Sequence, residues 1–530
     1  MFKNTCLFIL SLLLIKCGNS DLQIDDSTVF RYNEHANITT LDPAFAKDQR
    51  NIWACNLIYN GLVKLDKNLE VVPDLAQTWT VSEDALTYTF KLKSGVYFHE
   101  NTAFAKARTI TAADFKYSLE RLSDPKVASN GAWVMTHVKQ ITAPVEDQLI
   151  IELKQPFPAF LGLLTMKYCS VVMPEAVEYY GNEYRSNPVG TGPFYLKRWE
   201  ENVKMVLRKN QQYFEKDSGG KSLPYLEAVA ITFKSDKQSE FLEYAQGNLD
   251  FINAIDPSYK DELLTTTGAL KSKYESTTRL VKAPFLNTEY LGLYLDSNTP
   301  ELQSRLLREA INKGFDRKKM IKYLRNNIGI PATSGLIPQG LPAGGVVQGY
   351  EYDINEAQQL VQQYITETGD VQPEITITTG ANYLDLCEFI QKELEKIGIS
   401  TSVEVMPPST LRQARSAGNL DIFRSSWIAD YPDAENYLSL GYSKNFSPNG
   451  PNYTHFKSET YDMLYEQALT LPIAADREDL YIKMDSILIS EAPIVPLYYD
   501  ESVRFISKKV TGLESNAVNM LDLTRVKKQN

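Results

Sequence analysis

Histidine and cysteine are scarce in this chain. Its four histidines, His35, His99, His137 and His455, are scattered through 530 residues. None forms a ligand cluster, which disfavours a nickel-type or zinc-type centre. The five cysteines include Cys6 and Cys17 near the N-terminus, leaving Cys55, Cys169 and Cys387. Three scattered thiols make neither a metal site nor a disulfide framework, so buried free thiols, or at most one bridge, are expected. Dense positive charge is missing too. The net charge is −11, and the short basic groups Lys508-Lys509 and Arg525-Val526-Lys527-Lys528 read as solvated surface. Nucleic acid is therefore not an expected partner. Catalytic motifs are also lacking: there is no G-x-S-x-G elbow, and His99-Glu100 has no second histidine to make H-E-x-x-H. Neither an enzyme nor a cofactor is implied.

What is present points outward from the cell. Lys3 precedes an apolar stretch over 7–15 that is too short to span a bilayer. It runs into Leu14-Ile15-Lys16-Cys17-Gly18-Asn19, which resembles a lipoprotein signal over 1–16 with Cys17 as the acylated residue. Lys16 departs from the small residue usual there, and an ordinary cleaved secretory signal is the alternative. Either signal exports the protein, and no later apolar run is long enough to span a membrane. Hydrophobic residues at 43% and charged ones at 23% suit a soluble protein with large cores. A chain of 530 residues exceeds one core, so two or three domains are expected. The 31 tyrosines against 5 tryptophans suit a cleft for polar organic ligands as well as plain packing.

Short strands and helices alternate along the chain. Strands are predicted over 71–79, 87–92 and 148–153. A helix opens after Thr111, with Asp114 at the capping-box position, and stops at Asp124-Pro125. The breaker cluster Pro188-Val189-Gly190-Thr191-Gly192-Pro193-Phe194 reads as a crossing between domains. A phosphate loop fits it poorly, because no Lys-Ser/Thr follows and Pro193 has no N–H to donate. Helices are predicted over 302–313 and, capped by Asp316, to 324. A Gly/Pro-rich stretch fills 329–349, and Asp353 with Glu356 caps a helix ending at Gly369. Strand 374–379, helix 383–397 and strand 401–406 make a β-α-β unit, and strand 421–429 joins the same sheet. The fold class is α/β, without internal repeats.

The stretch from Arg415 to Pro432 carries the chemistry. Arg415 and Arg424 precede Ser426, Trp427 and Ile428 on a predicted strand, and Asp430 follows at its end. A peptide's two ends need such groups: a carboxylate for the ammonium, guanidinium forks for the carboxylate, and a strand for the backbone between. Taken alone, Asp430 equally fits a turn before Tyr431-Pro432-Asp433, Trp427 fits core packing, and the arginines fit surface positions.

Several motifs in order resemble the solute-binding proteins of the oligopeptide, dipeptide and nickel ABC importers (solute-binding protein family 5). They are Pro73-Asp74-Leu75-Ala76 with Trp79, Thr87-Tyr88-Thr89-Phe90, Gly95-Val96-Tyr97-Phe98-His99, Ile110-Thr111-Ala112-Ala113-Asp114-Phe115, and Gly190-Thr191-Gly192-Pro193-Phe194. Arg308-Glu309-Ala310-Ile311-Asn312 before Asp316-Arg317, and Glu491-Ala492-Pro493-Ile494-Val495-Pro496-Leu497, complete the set. The resemblance covers nearly the whole chain after the signal and is nearest the oligopeptide branch. It implies a two-lobed periplasmic-binding-protein fold of class II type with an extra domain inserted in the first lobe. Domain I would come from 22–63, 187–284 and 495–530, domain II from 64–186 and domain III from 285–494.

On this resemblance Asp430 holds the peptide α-ammonium, and the backbone at Ser426, Trp427 and Ile428 pairs with the peptide. Arg424 and Arg415 meet the peptide carboxylate. The family's aromatic near the peptide falls close to Gly131, so that contact is lost or taken over by Trp133. The implied protein is a lipid-anchored, periplasmic or otherwise extracytoplasmic monomer. It passes short peptides to an ABC permease and its cytoplasmic ATPase. The alternative is the same fold binding an oligosaccharide, an opine or a metal complex.

Overall fold

The computed structural model describes residues 26–104, 107–254, 260–471 and 473–529. The expected signal over 1–16 and the acylation candidate Cys17 lie outside the described residues. Among those residues, no helix is long and apolar enough to cross a membrane.

An eleven-stranded mixed sheet runs through the molecule. Its path is Ser400–Val405, Glu374–Thr379, Ile422–Ile428, Thr278–Leu293, Ile494–Ser507, Phe251–Asn253, Val29–Glu34, Ala228–Phe233, Lys204–Lys209 and Phe194–Glu200, with the short strand Ile330–Pro331 also paired to Ile494–Ser507. The two central strands are 16 and 14 residues long, and the longer spans roughly 50 Å. They pair in two blocks, 278–284 against 501–507 and 288–292 against 494–499, with the register broken between Pro284 and Thr288. Proline has no N–H for the ladder, which explains why pairing stops there. Each block belongs to a different lobe, so the two lobes share one sheet across an irregular waist.

A second, antiparallel sheet orders Ala76–Val81, Thr87–Leu92, Gln148–Leu153 and Val138–Val145. Helix Ala112–Ser123 covers it, opened by the expected capping box between Thr111 and Asp114. Phe115, Leu119 and Leu122 of this helix lie in one core with Phe30 and Tyr32 of the first lobe. The inserted domain is thus fused to that lobe by shared apolar burial. The second lobe has a core on each side of its sheet: Leu291, Ile377 and Ile422 face the helices Arg305–Lys313 and Leu384–Glu395. Tyr290, Phe423 and Ile494 face Tyr461, Met484 and Leu488 of the helices Glu459–Leu469 and Ala474–Glu491.

The β-α-β unit forms as expected, with its helix starting at Leu384 because Ala381–Tyr383 make a tighter turn first. The predicted helix over 302–313 is interrupted. Ser304 adopts extended backbone (φ −77°, ψ 117°) between Pro300–Gln303 and Arg305–Lys313. Gly190 and Gly192 sit against the Ile58 backbone, where a Cβ would come within 2.1 and 2.4 Å of it. Gly192 N–H donates to Ile58 O at 2.8 Å. The cluster is a packed crossing, and that close approach is what its glycines serve. Cys55, Cys169 and Cys387 are free and buried.

The second lobe buries carboxyls without cations in contact. Asp485 is fully buried; it accepts from Leu336 N–H at 2.8 Å, and its Oδ2 has no partner among the described residues. Glu435 accepts from the Tyr431 and Tyr465 hydroxyls. Burial raises each acid to about 7. A carboxyl raised in the folded state adds stability that is complete below its unfolded pKa and is lost as pH rises through 7. Below about pH 6.5 the sign is mixed, because burial lowers His99 to about 4. Above it, stability falls with pH, by about 1 kcal/mol per such acid over two pH units. Asp485→Asn is expected to keep the Leu336 bond and flatten that decline. Thermal melts between pH 6.5 and 8.5 check this, and parallel slopes in both proteins would refute it.

Candidate functional site

The strand Ile422–Ile428 places the site. It pairs antiparallel along its length with the long strand, from Ile428 opposite Asn287 to Ile422 opposite Leu293. On its other side only Ile422 and Phe423 have strand partners, Ile377 and Thr378. From Arg424 to Ile428 the second edge has no strand beside it among the described residues. The apolar side chain of Ile428 is 51% exposed there. A free, partly apolar edge of this kind accepts an added strand.

Asp430 closes the free edge. Its backbone N–H donates to Asn436 Oδ1 at 3.2 Å, and the same oxygen accepts from Trp427 Nε1 at 2.9 Å. Asn436 therefore fixes both the turn and the indole ring, and Trp427 forms a half-buried wall packed on the second-lobe core. The Asp430 residue reaches solvent, yet protein crowds its carboxyl closely enough to raise its pKa by loss of water. No cation lies in salt-bridge range among the described residues. Just beyond, Tyr431 packs edge-on against Phe157 at 6.3 Å, and Gly162 faces Tyr431 and Pro432. The second lobe thus touches the inserted domain directly after Asp430.

The two arginines do not converge. Side chains alternate across a strand, so Arg424 shares a face with Ser426 and Ile428, while Ser425 and Trp427 point the other way. Arg424 forms an ion pair with the buried Glu289, and its guanidinium lies 3.1 Å from the Tyr383 ring centre. Burial outweighs the arginine and leaves the Glu289 pKa raised. On the opposite face Arg415, from helix Pro408–Ser416, donates to Ser425 Oγ and lies 4.2 Å over the Tyr453 ring. The structure brings Trp427, Asp430 and Asn436 together and leaves Arg415 and Arg424 separated by the strand.

Sequence reasoning missed Asn436 and Glu289. Asn436 stands six positions after Asp430 and was within reach of a local search. Glu289 is 135 residues from Arg424, and only the strand pairing reveals it.

Two α/β lobes sharing a sheet across an irregular waist, with an uncompensated carboxylate beside a free strand edge, suit a receptor that binds a solute. The chain belongs to the bacterial extracellular solute-binding proteins, family 5, whose family model matches residues 70–449. It is therefore a solute-binding protein of an ABC importer, working with a permease and an ATPase, and is not an enzyme. It is 28% identical over 484 residues to the glutathione-binding protein GsiB of Escherichia coli O1:K1, covering 90% of each chain. It is 26% identical to the periplasmic binding protein DppA of Helicobacter pylori, solved with the peptide STSA. That match has a TM-score of 0.78 and covers 95% of this chain and 98% of the other. HbpA2 of Haemophilus parasuis shares the fold at a TM-score of 0.82 and 22% identity, over 95% of this chain and all of the other.

Proposed function

We propose that this receptor captures short peptides with a free amino terminus, closing its lobes on them for delivery to the permease. The observation that carries the reading is the free edge from Arg424 to Ile428 ending at Asp430. The edge offers main-chain hydrogen bonds that ignore side chains. Asp430 offers the countercharge that a desolvated ammonium requires. A neutral sugar would leave that carboxylate unpaired. The relatives' ligands support the same class, since glutathione and STSA are both short peptides.

Closure would turn about the waist, where the pairing of the long strands breaks between Pro284 and Thr288 and the chain changes lobe. Domain limits near 63, 186 and 284 belong to the same proposal, with the last crossing moved from 495 to about 500, because Val495, Leu497 and Tyr498 are buried in the second-lobe core. So do a lipid anchor at Cys17, supported by the leader sequence, and a monomeric state.

Mass spectrometry of the protein purified from its own membranes tests this. Heterogeneous peptides of two to five residues are expected to come off on denaturation, and the intact mass should carry an acylated Cys17. A single non-peptide species, or a protein that ignores a peptide library, would overturn the peptide reading. A mass without lipid would overturn the anchor alone.

A further inference from the structure

A cavity of about 1140 Å³ lies along the seam between the inserted domain and the first lobe. Neither Asp430 nor the strand Ile422–Ile428 lines it. One wall is the edge of the large sheet. Phe194 and Leu207 turn into the core, so Tyr195 and its cross-strand partner Arg208 share the opposite face, toward the cavity. The other wall is the loop after Val96, which carries Tyr97 and Phe104. A bridge between Tyr97 and Thr109, and a bond from His99 N–H to Gly190 O at 2.7 Å, hold that loop against the domain crossing. The Tyr97 ring is 41% exposed, and Phe104 stands edge-on to Tyr179 at 5.8 Å. Seams between domains are where small-molecule pockets commonly form.

Two groups in this cavity lack what they need. Of the described cations that line it, Lys209 is answered by Glu227 at 3.2 Å. Arg208 is half-buried, and its side chain makes no ion pair or hydrogen bond among the described residues. The lining carboxylate Glu100 instead accepts from Gln212 at 3.3 Å. His99 is the second group. It is 6% exposed, and burial holds its ring neutral. Its Nε2 lies 2.9 Å from Gly192 O, and a carbonyl oxygen only accepts, so Nε2 carries the ring hydrogen. Nδ1 is then a bare acceptor, buried and without a partner among the described residues. An acceptor in that state requires a donor from outside the chain, either a water or a ligand group.

We propose that this seam is a second ligand site, separate from the edge at Asp430, and that it takes a carboxylated saccharide. The ring faces of Tyr97, Phe104 and Tyr195 suit the C–H faces of sugar rings. Gln211, whose amide has no partner among the described residues, offers a donor and an acceptor, as a hydroxyl-rich ligand requires. Arg208 offers the planar fork that takes both oxygens of a carboxylate. A phosphate polymer would need more than one unpaired cation. A water held at His99 Nδ1 can pass its bond on to a sugar hydroxyl. The inference stands apart from the peptide reading, because it uses none of that site's residues.

Screening of carboxylated sugars on a glycan array, followed by calorimetry with trigalacturonate and its methyl ester, tests the proposal in the whole protein. The wild type is expected to bind the acid about tenfold more tightly than the ester. Arg208→Gln should weaken the acid about tenfold and leave the ester unchanged, a split that a merely structural role would not produce. Tyr97→Ala, at an exposed ring, should weaken both forms about tenfold. Asp430→Ala should bind the saccharide as the wild type does. If no carboxylated sugar binds the wild type, or Arg208→Gln treats acid and ester as the wild type does, the inference is wrong. If binding is lost in Asp430→Ala and kept in Arg208→Gln, the saccharide occupies the other site and the inference is equally overturned.

Discussion

Replacing Asp430 by alanine is expected to weaken binding of an unblocked tripeptide by roughly 2–5 kcal/mol, the range for truncating one side of a buried charge pair. The free protein should tolerate the change. Asp430 has no cation within ion-pair distance among the described residues, and its pKa is raised by crowding, so its removal leaves no charge stranded. Alanine keeps the backbone N–H bond to Asn436 at 3.2 Å and loses only the side-chain hydrogen bond from the same residue. Thermal stability is therefore expected to stay within about 0.5 kcal/mol of the wild type, as for an ordinary surface change. Affinity in the wild type should also fall as pH drops through the raised pKa, because a protonated Asp430 no longer answers an ammonium. Calorimetry at pH 7 and at a series of lower pH values measures both effects. Unchanged affinity in Asp430→Ala would assign the ammonium to another group.

Arg424→Ala is expected to do the reverse, costing the fold about 3–5 kcal/mol by leaving the buried Glu289 carboxylate without its arginine. The Glu289 side chain is 3% exposed, and that of Arg424 is 12% exposed. Asn287 Nδ2, donating to Glu289 at 3.0 Å, cannot replace a full positive charge. The loss has a pH signature. Without Arg424 the raised pKa of Glu289 should climb further, so the penalty is small in acid, where the folded state keeps its proton, and grows as pH rises. Adding Glu289→Gln to Arg424→Ala should recover most of the stability, because the charges that remain nearby, Arg325 and Asp500, are paired with each other at 2.9 Å. Chemical denaturation at two pH values separates this from a ligand clamp. If Arg424 instead served only a peptide carboxylate, its removal would lower affinity and leave unfolding untouched.

This second case shows where a linear reading stops. Arg415 and Arg424 look equivalent along the chain, since both precede the same tryptophan. Strand alternation puts them on opposite faces, and of their partners Glu289, Tyr383 and Tyr453 come from separate parts of the chain. Gly131 teaches the same lesson. In sequence it reads as a missing aromatic, whereas in the fold its lack of a side chain makes room for Tyr168.

Short-range features needed no structure. The capping box at Thr111 and Asp114, the Asp353 cap and the Gly369 stop each depend on groups within a few residues of one another, and the β-α-β unit over 374–405 pairs strands only 26 positions apart. Propensity and periodicity encode such contacts directly. The family followed from motif order along nearly the whole chain, and Asp430, three residues after Trp427, was visible there too. Three things were decided only by the tertiary structure: which edge of strand Ile422–Ile428 is free, which arginine is already neutralised, and which aromatic fills the space at Gly131. Each is a relation between residues brought together from distant parts of the chain, and burial, pairing and countercharge exist only once the chain has folded.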